Sequence, residues 1–254
     1  MSRDYIIHTP EEIARIRVAA AMAGKARDRI AEFLRPGMST KELDLIAGEV
    51  ITSMGGKCAF LGYHGYPGNI CISVNDEVVH GIGSPERFIL KGDLVSIDVG
   101  VEYEGGVGDT ARTDYVGDLP VPAEDQKLMD VTREALEAGI AAAVCGNYIR
   151  DISAAIQKVA KKNGIAVVRD FVGHGCGVKL HEPPEVPNYV TPLRGPRLQP
   201  GMVLAIEPMF NLGTYKVYVE SNQWTVRTRD GRNSAHFEHM VLITTEQPEV
   251  LTRA

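Results

Sequence analysis

The sequence repeats itself at a constant offset of 109 positions, and this repeat constrains the fold more than any other feature. LKGDLVSID, which begins at Leu90, and QPGMVLAIE, which begins at Gln199, follow one pattern and place Asp98 on Glu207. The same offset aligns residues of the preceding predicted helices: Gly37 with Gly146, Leu43 with Ile152, Val50 with Val159 and Gly55 with Gly164. One offset across helices and a strand indicates an internal duplication of a helix–helix–sheet unit. We therefore expect an α+β fold in which two halves pack their sheets inside and their helices outside.

Helix start signals locate the beginning of each copy. Thr9-Pro10-Glu11-Glu12 combines an N-cap residue, a proline at the first helical position and a capping-box glutamate. The order restarts at Pro122-Ala123-Glu124, which opens the first helix of the second copy. These signals predict one domain over residues 1–254, with halves of about 10–118 and 119–250.

Composition and charge exclude several classes of protein. A hydrophobic content of 44% and a charged content of 24% are ordinary for a soluble globular chain. A net charge of −6 without a dense block of Lys and Arg argues against a nucleic-acid surface. No apolar stretch reaches the length of a membrane span, and the N-terminus lacks the apolar run of a signal peptide. The four cysteines form no close pair, which predicts a reduced, cytoplasmic protein.

Two aspartates between Leu94 and Thr113 are the first candidates for chemistry. Alternating apolar residues followed by Gly105-Gly106 predict a β-hairpin, in which Asp98 and Asp109 lie 11 positions apart. A turn at Tyr103-Glu104 would place the two aspartates directly opposite each other, with Cβ atoms roughly 4.5–5.5 Å apart. Two enclosed carboxylates repel each other, so a pair of divalent metals about 3.5–4 Å apart is expected between them. A solvated hairpin tip is the commoner explanation of an isolated pair, and the rest of the chain decides.

The second half supplies three more groups of this kind. Glu207 ends an apolar strand, Glu238 precedes the apolar run HMVLI, and His174 lies between glycines in GHGCG. A neutral imidazole is a common metal ligand. With Asp98 and Asp109 the set contains four carboxylates and one imidazole, which disfavours a structural zinc site or a calcium cage. It suits manganese, iron, cobalt or zinc in a catalytic pair.

Around these residues the chain resembles the type I methionine aminopeptidases, which have the pita-bread fold. The resemblance rests on seven separated segments that occur in the order of that family: GYHGYPGNICISVNDEVVHGI (residues 62–82), SIDVG, GDTART, GHGCG, LHEPPEVPN, AIEP and FEHMVLIT. It extends over about residues 10–245. It implies a pita-bread fold with pseudo-twofold halves and a metalloaminopeptidase that holds two divalent ions. The expected reaction is removal of the initiator methionine from nascent proteins whose second residue is small.

The resemblance also implies a role for each metal ligand. Asp98 and Asp109 resemble the ligands of the more open metal position. His174 and Glu207 resemble the ligands of the second position. Asp109 and Glu238 resemble the residues that bridge the two ions.

Three residues are expected to take part in the reaction itself. His80 resembles the histidine that hydrogen-bonds the scissile amide region, and His181 the one that meets the carbonyl oxygen and the tetrahedral intermediate. A metal-bound hydroxide would attack the carbonyl, and the developing oxyanion needs a donor already in place. Glu207 is the expected proton shuttle between that water and the leaving amine.

The resemblance implies an S1 pocket for one unbranched thioether side chain. Its expected walls are Phe60, Tyr63, Tyr66, Cys71, Leu180 and Trp224. Aromatic and sulfur-bearing walls suit a polarizable methionine. Phe60 stands where a smaller residue is frequent in that family. Because Ser2 is small, Met1 of this chain is itself an expected substrate.

Partners and rival functions follow from the same residues. We expect N-terminal Met peptides of nascent chains as substrates, association with the ribosome, a monomer, and neither nucleic-acid nor membrane binding. One alternative is an X-Pro peptidase of the same fold, and another is a binding module of this fold that has lost catalytic activity. A third is a dinuclear phosphohydrolase, which would need Arg or Lys clamps beside the metals. Arg112 is the only basic residue that the sequence places there.

Overall fold

The computed structural model describes residues 4–253, so the expectation for Met1 and Ser2 concerns residues outside the described ones. The helices are α1 (Pro10–Ala31), α2 (Thr40–Ser53), α3 (Ala123–Ala142) and α4 (Ile149–Asn163). The strands are β1 (Lys57–Cys58), β2 (Cys71–Val74), β3 (Glu77–Val79), β4 (Leu94–Tyr103), β5 (Gly106–Tyr115), β6 (Ala166–Val167), β7 (Gly173–Gly175), β8 (Glu182–Val186), β9 (Val203–Ile206), β10 (Met209–Asn211), β11 (Val217–Val219), β12 (Val226–Thr228), β13 (Ser234–His236), β14 (His239–Leu242) and β15 (Glu249–Val250). None of these described helices is long and apolar enough to cross a membrane.

The helix that opens each half begins where the sequence predicts. At α1 the hydroxyl of Thr9 accepts from the backbone N–H of Glu12 at 3.2 Å, and the Glu12 carboxylate accepts from the N–H of Thr9 at 2.8 Å. This reciprocal pair satisfies two backbone donors that a helix start otherwise leaves free. In the second half, α3 begins at Ala123 directly after Pro122. The predicted capping box of α1 and the predicted start of α3 are therefore both confirmed.

Two antiparallel sheets carry the repeated segments. In the first half, β4 pairs with β1, β2 and β5, and in the second half β9 lies in the middle of the order β15-β14-β9-β7-β8. One apolar core joins α1 and α2 to the β4 sheet, and another joins α3 and α4 to β9 and β14. A third core between the halves contains residues of α1, β9 and β14 together with Phe60 and Tyr66. The sheets thus lie inside and the helices outside.

The backbone repeats as the sequence does. Glycines that the 109-residue offset superposes share a left-handed backbone: Gly37 (φ 88°) with Gly146 (96°), Gly55 (86°) with Gly164 (68°), and Gly92 (95°) with Gly201 (91°). Such φ values favour glycine at turns. The matching pairs are what two copies of one helix–helix–sheet unit require, and they support the predicted duplication.

The predicted register of the aspartate hairpin is wrong by two residues. Asp98 lies opposite Ala111 and Asp109 lies opposite Gly100, and the turn is at Glu104 and Gly105. Both turn residues have positive φ, 46° and 78°, as a two-residue hairpin turn of this kind requires. A turn one residue earlier would force Tyr103 into that conformation instead of the glycine. Because the error is an even number, the two aspartates still project from the same face, as a diagonal pair.

Candidate metal centre

A cavity of about 430 Å³ between the two halves contains every site residue predicted from the sequence. Its walls include the five predicted metal ligands, both predicted catalytic histidines and all six predicted pocket residues: Asp98, Asp109, His174, Glu207, Glu238, His80, His181, Phe60, Tyr63, Tyr66, Cys71, Leu180 and Trp224. These residues come from segments that span positions 60 to 238. The fold therefore brings together residues that the sequence keeps far apart.

Neighbouring strands bring the side chains of the predicted ligands close together. Asp98 lies on β4 and Asp109 on β5, and both line the cavity. His174 lies on β7, with Nε2 3.8 Å from Oδ2 of Asp109 and 3.4 Å from Oε1 of Glu207. Asp109, His174 and Glu238 each offer a ligand atom within 4.8 Å of the other two. A single cation could contact all three.

The four carboxyl groups of the cluster are buried, and burial makes their ionisation unfavourable. Burial raises the pKa of Asp109 from 3.8 to about 7. Burial, and next the charge of Asp109, raise the pKa values of Asp98, Glu207 and Glu238 well above their ordinary range. Arg27, which donates to the hydroxyl of Thr110 at 2.7 Å, opposes the shift at Glu238. Such a cluster calls for positive charge within it.

The donor atoms fit a divalent metal. Oδ1 of Asp98, Oδ1 of Asp109 and Oε1 of Glu238 are buried and receive no hydrogen bond from the described residues. Buried oxygens without a donor are costly unless a cation binds them. No Lys or Arg occurs among the described residues that line the cavity. The residues present therefore fit one or more divalent ions held by oxygen and imidazole.

His174 is prepared as a neutral ligand. Its Nδ1 lies 2.9 Å from the carbonyl oxygen of Gly175, which can only accept, so Nδ1 carries the proton and the Nε2 lone pair faces the acids. Burial lowers the pKa of His174 to about 3. The ring stays neutral at physiological pH, as metal binding requires.

The two other predicted histidines are also neutral. Burial, and next His181, lower the pKa of His80 to about 4, and its ring meets Phe171 edge to face with centroids 5.5 Å apart. Burial lowers the pKa of His181, whose Nδ1 lies 2.8 Å from the hydroxyl of Tyr63. The centroid of the His181 ring is 4.2 Å from that of His174. Both histidines can donate or accept a proton beside the ligands.

The predicted pocket walls are present and apolar. The hydroxyl of Tyr66 donates to the carbonyl oxygen of Gly81 at 2.8 Å, so the aromatic ring has a fixed orientation. Phe60 fits because Gly100 has no side chain: a Cβ there would lie 2.4 Å from the Phe60 ring. Burial raises the pKa values of Cys71 and Cys176 well above the ordinary thiol range. These thiols stay protonated and form small apolar surfaces rather than nucleophiles.

The sequence interpretation missed His236. Nε2 of this buried histidine lies 3.6 Å from Oε2 of Glu207 and has no hydrogen-bond partner among the described residues. Burial, and next His80, lower its pKa to about 3. His236 precedes Glu238 by two positions, and a period of two places both side chains on one face of an extended segment. That spacing was the signal available in the sequence. Phe171 and Val172, which line the cavity, carried no comparable signal.

The basic residue expected near the metals lies elsewhere. Arg112 contacts Asp28 at 3.1 Å and Asp114 at 2.5 Å, and it lines a separate surface depression. Since no Arg or Lys of the described residues lines the cavity, the phosphohydrolase alternative lacks its clamps.

Comparison with known proteins agrees with this site. The model of metallopeptidase family M24 matches residues 14–245. The methionine aminopeptidase of Clostridium perfringens is 48% identical over 248 residues, which are 97% of this chain and 98% of that protein. The crystal structure of methionine aminopeptidase from Thermotoga maritima has a TM-score of 0.94 at 41% identity and covers 98% of this chain and 100% of that chain.

A more distant structure shows the same fold. Prolidase from Pyrococcus furiosus has a TM-score of 0.77 at 24% identity, and covers 98% of this chain and 66% of that chain. The pita-bread α+β fold expected from the sequence is thereby confirmed. The chain belongs to the methionine aminopeptidases of metallopeptidase family M24.

Proposed function

We propose that this protein removes the initiator methionine from polypeptides whose second residue is small, with the whole chain acting as one catalytic domain. The observation that carries the proposal is the position of the ligand cluster: four carboxylates and a neutral imidazole share one cavity with aromatic and sulfur-bearing walls. The cluster supports hydrolysis, and the walls support selection of a thioether side chain. The relatives named methionine aminopeptidase agree with both features.

We infer that the site holds two divalent ions. Asp98 and Asp109 would hold one, His174 and Glu207 the other, and Asp109 and Glu238 would bridge them. When bound, such ions supply a Lewis acid for the scissile carbonyl and make a nearby water acidic. The three carboxylate oxygens without hydrogen bonds support this assignment. Manganese, iron, cobalt and zinc all suit this donor set.

The residues of this chain would orient the peptide and move its protons. If the hydroxyl of Tyr63 donates to Nδ1 of His181, Nε2 of His181 carries a proton that it can donate to the carbonyl oxygen of the substrate. His80 would hydrogen-bond the scissile amide. Glu207, whose Oε1 lies 3.4 Å from Nε2 of His174, would take a proton from the attacking water and pass it to the leaving amine.

Activity after metal return tests the proposal. Metal-free protein is assayed on a Met-Gly-Met peptide and on an Ala-Pro peptide, with manganese, iron, cobalt or zinc added back. We expect at least one metal to restore release of free methionine and no metal to give cleavage of the Ala-Pro peptide. Failure of all four metals on the methionine peptide would overturn the proposal.

Variants at two acids separate catalysis from general charge effects. Glu207→Gln should lower kcat by about 10²- to 10⁴-fold, because the amide cannot carry the proton. Glu185→Gln is the matched control, since Glu185 is an exposed acid on β8 opposite His174. The control should retain wild-type kcat. Equal activities of the two variants would remove Glu207 from the proposed mechanism.

The remaining expectations from the sequence stay predictions. They are a monomer, a cytoplasmic location, association with the ribosome and action on nascent chains. The net charge of −6 and the lack of a dense basic block support the absence of nucleic-acid binding.

A further inference from the structure

The segment that precedes α1 reaches the loop that carries His181. His8 lies in this segment, and its backbone N–H donates to the carbonyl oxygen of Gly201 at 2.9 Å. Its side chain is 1% exposed, and its Nε2 lies 3.1 Å from Oε2 of Glu182, whose side chain is 2% exposed. The two residues are 174 positions apart, so this contact depends on the complete fold.

Glu182 organises the loop between β7 and β8. Its Oε1 accepts from the backbone N–H of Val178 at 3.0 Å and of Lys179 at 2.7 Å. The same loop is fixed at its other side, where the carbonyl oxygen of Gly177 accepts from the N–H of Val107 at 2.7 Å. Leu180 and His181, which both line the cavity, follow directly. The carboxylate of Glu182 therefore determines how the loop presents His181.

The lack of a side chain at Gly177 lets His8 come close to this loop. A Cβ at position 177 would lie 2.8 Å from Nε2 of His8, so any larger residue there would displace the imidazole. Oε2 of Glu182 receives no hydrogen bond from the described residues apart from this close contact with His8. A buried carboxylate whose partner is removed is strongly destabilised and moves toward water.

We propose that His8 is a positioning residue that acts through Glu182. By keeping the Glu182 carboxylate buried, it holds the loop 176–181 in the conformation that directs His181 into the cavity. The inference rests on the proposed function for its catalytic consequence. A displacement of about 1 Å in a group that orients the reacting carbonyl can lower the rate about 10²-fold.

The test compares kcat, KM and metal affinity in five single variants and two double variants. His8→Leu removes Nε2 at similar volume and should lower kcat about 10- to 100-fold. The affinity for Mn²⁺ should stay within about twofold, because none of the expected ligands lies in the loop. KM for Met-Gly-Met should change less than kcat, because Leu180 is the one expected pocket wall that lies in the loop. His8→Gln, which restores a donor, should recover most of kcat. Tyr5→Phe is the matched control, because the Tyr5 hydroxyl anchors the same segment by accepting from Gln199 at 2.7 Å without touching the loop.

Two double variants separate positioning from a loss of stability. In a His181→Ala background, His8→Leu should change kcat less than about twofold, since its effect passes through the missing imidazole. In a Glu182→Gln background, His8→Leu should also cost little, because no buried charge then lacks a partner. Wild-type kcat in His8→Leu would overturn the proposal. Independent losses that multiply in the double variants, or an equal loss in Tyr5→Phe, would also overturn it.

An NMR measurement keeps this inference separable from the proposed function. In metal-free protein, the imidazole resonance of His181 should shift in His8→Leu and stay in place in Tyr5→Phe. If the wild type releases no methionine with any metal, the proposed function fails, and this resonance alone decides the positioning role. An unmoved resonance would overturn that role.

Discussion

Replacing Asp109 by asparagine removes one enclosed negative charge and keeps the shape of the side chain. In the metal-free fold burial raises the pKa of Asp109 from 3.8 to about 7, whereas the unfolded chain keeps the ordinary value. The folded protein binds the proton more tightly, so the free energy of unfolding is greatest below pH 3.8 and falls as pH rises to about 7. At 1.36 kcal/mol per pKa unit, the ionised carboxylate destabilises the metal-free fold by about 4 kcal/mol above that pH.

The Asp109→Asn variant has no proton to lose at this position. We expect the metal-free variant to be more stable than the wild type by about 4 kcal/mol at pH 8 and by about 2 kcal/mol at pH 5. Urea unfolding in the presence of a chelator measures both differences. Glu102→Gln is the matched control, because Glu102 is an exposed acid on the same hairpin. It should change stability by less than about 0.5 kcal/mol at either pH.

Added metal should reverse the order of stability. A divalent ion stabilises the wild type in proportion to its affinity for the folded state, and the variant has lost one ligand. Two results would refute the reasoning. One is a metal-free variant no more stable than the wild type at pH 8. The other is a stability difference that is the same at pH 5 and pH 8, because burial of an ionised carboxylate would then not be its cause.

Three further predictions concern the pocket, the missed histidine and metal binding. Gly100→Ala should push Phe60 into the cavity, since a Cβ at position 100 would lie 2.4 Å from the Phe60 ring. Steady-state kinetics should then show KM for Met-Gly-Met rising about tenfold, and an unchanged KM would contradict this. His236→Ala removes the imidazole that lies 3.6 Å from Glu207, so calorimetry should show Mn²⁺ binding weakened about 10- to 100-fold. Wild-type affinity in this variant would show that His236 does not support the metal site. Because Asp109 and the other three acids must lose their protons to bind a cation, the apparent Mn²⁺ affinity should rise at least about tenfold per pH unit below pH 7. Calorimetry showing a flat dependence would contradict this.

The internal repeat allowed the metal ligands to be predicted even though the strand register was not predicted correctly. An offset that superposes Asp98 on Glu207 needs no knowledge of register, because the two strands only have to be equivalent. The hairpin register, by contrast, depended on which residues could take positive φ, and Gly105 decided it together with Glu104. The error of two residues preserved the face of each side chain. The prediction of the metal ligands was therefore unaffected by the error in the position of the hairpin turn.

Contacts between distant segments could not be predicted in the same way. Nothing near His8 in the sequence indicates that it meets Glu182, since the contact requires both halves to be in place. The fit of Phe60 against Gly100 is equally invisible, because a glycine in a strand usually indicates only a bulge or a weak point. His236 is an intermediate case, since its spacing from a predicted ligand was available. Pattern predicts which residues share a face, and tertiary packing decides which faces meet.

The arrangement of the acids explains how such a cluster can fold at all. Each half contributes its acid at an equivalent strand, Asp98 on β4 and Glu207 directly after β9, and those strands are fully buried along their apolar runs. Asp98 therefore lies within a strand whose packing is already favourable, and Glu207 directly follows one. Asp98 and Asp109 lie on one hairpin of the first half, and the full set of acids forms only when the halves close and bring Glu207 and Glu238 to them. A cation that binds at this interface would bind the closed protein far better than the open chain, so metal affinity and the stability of the closed fold are linked.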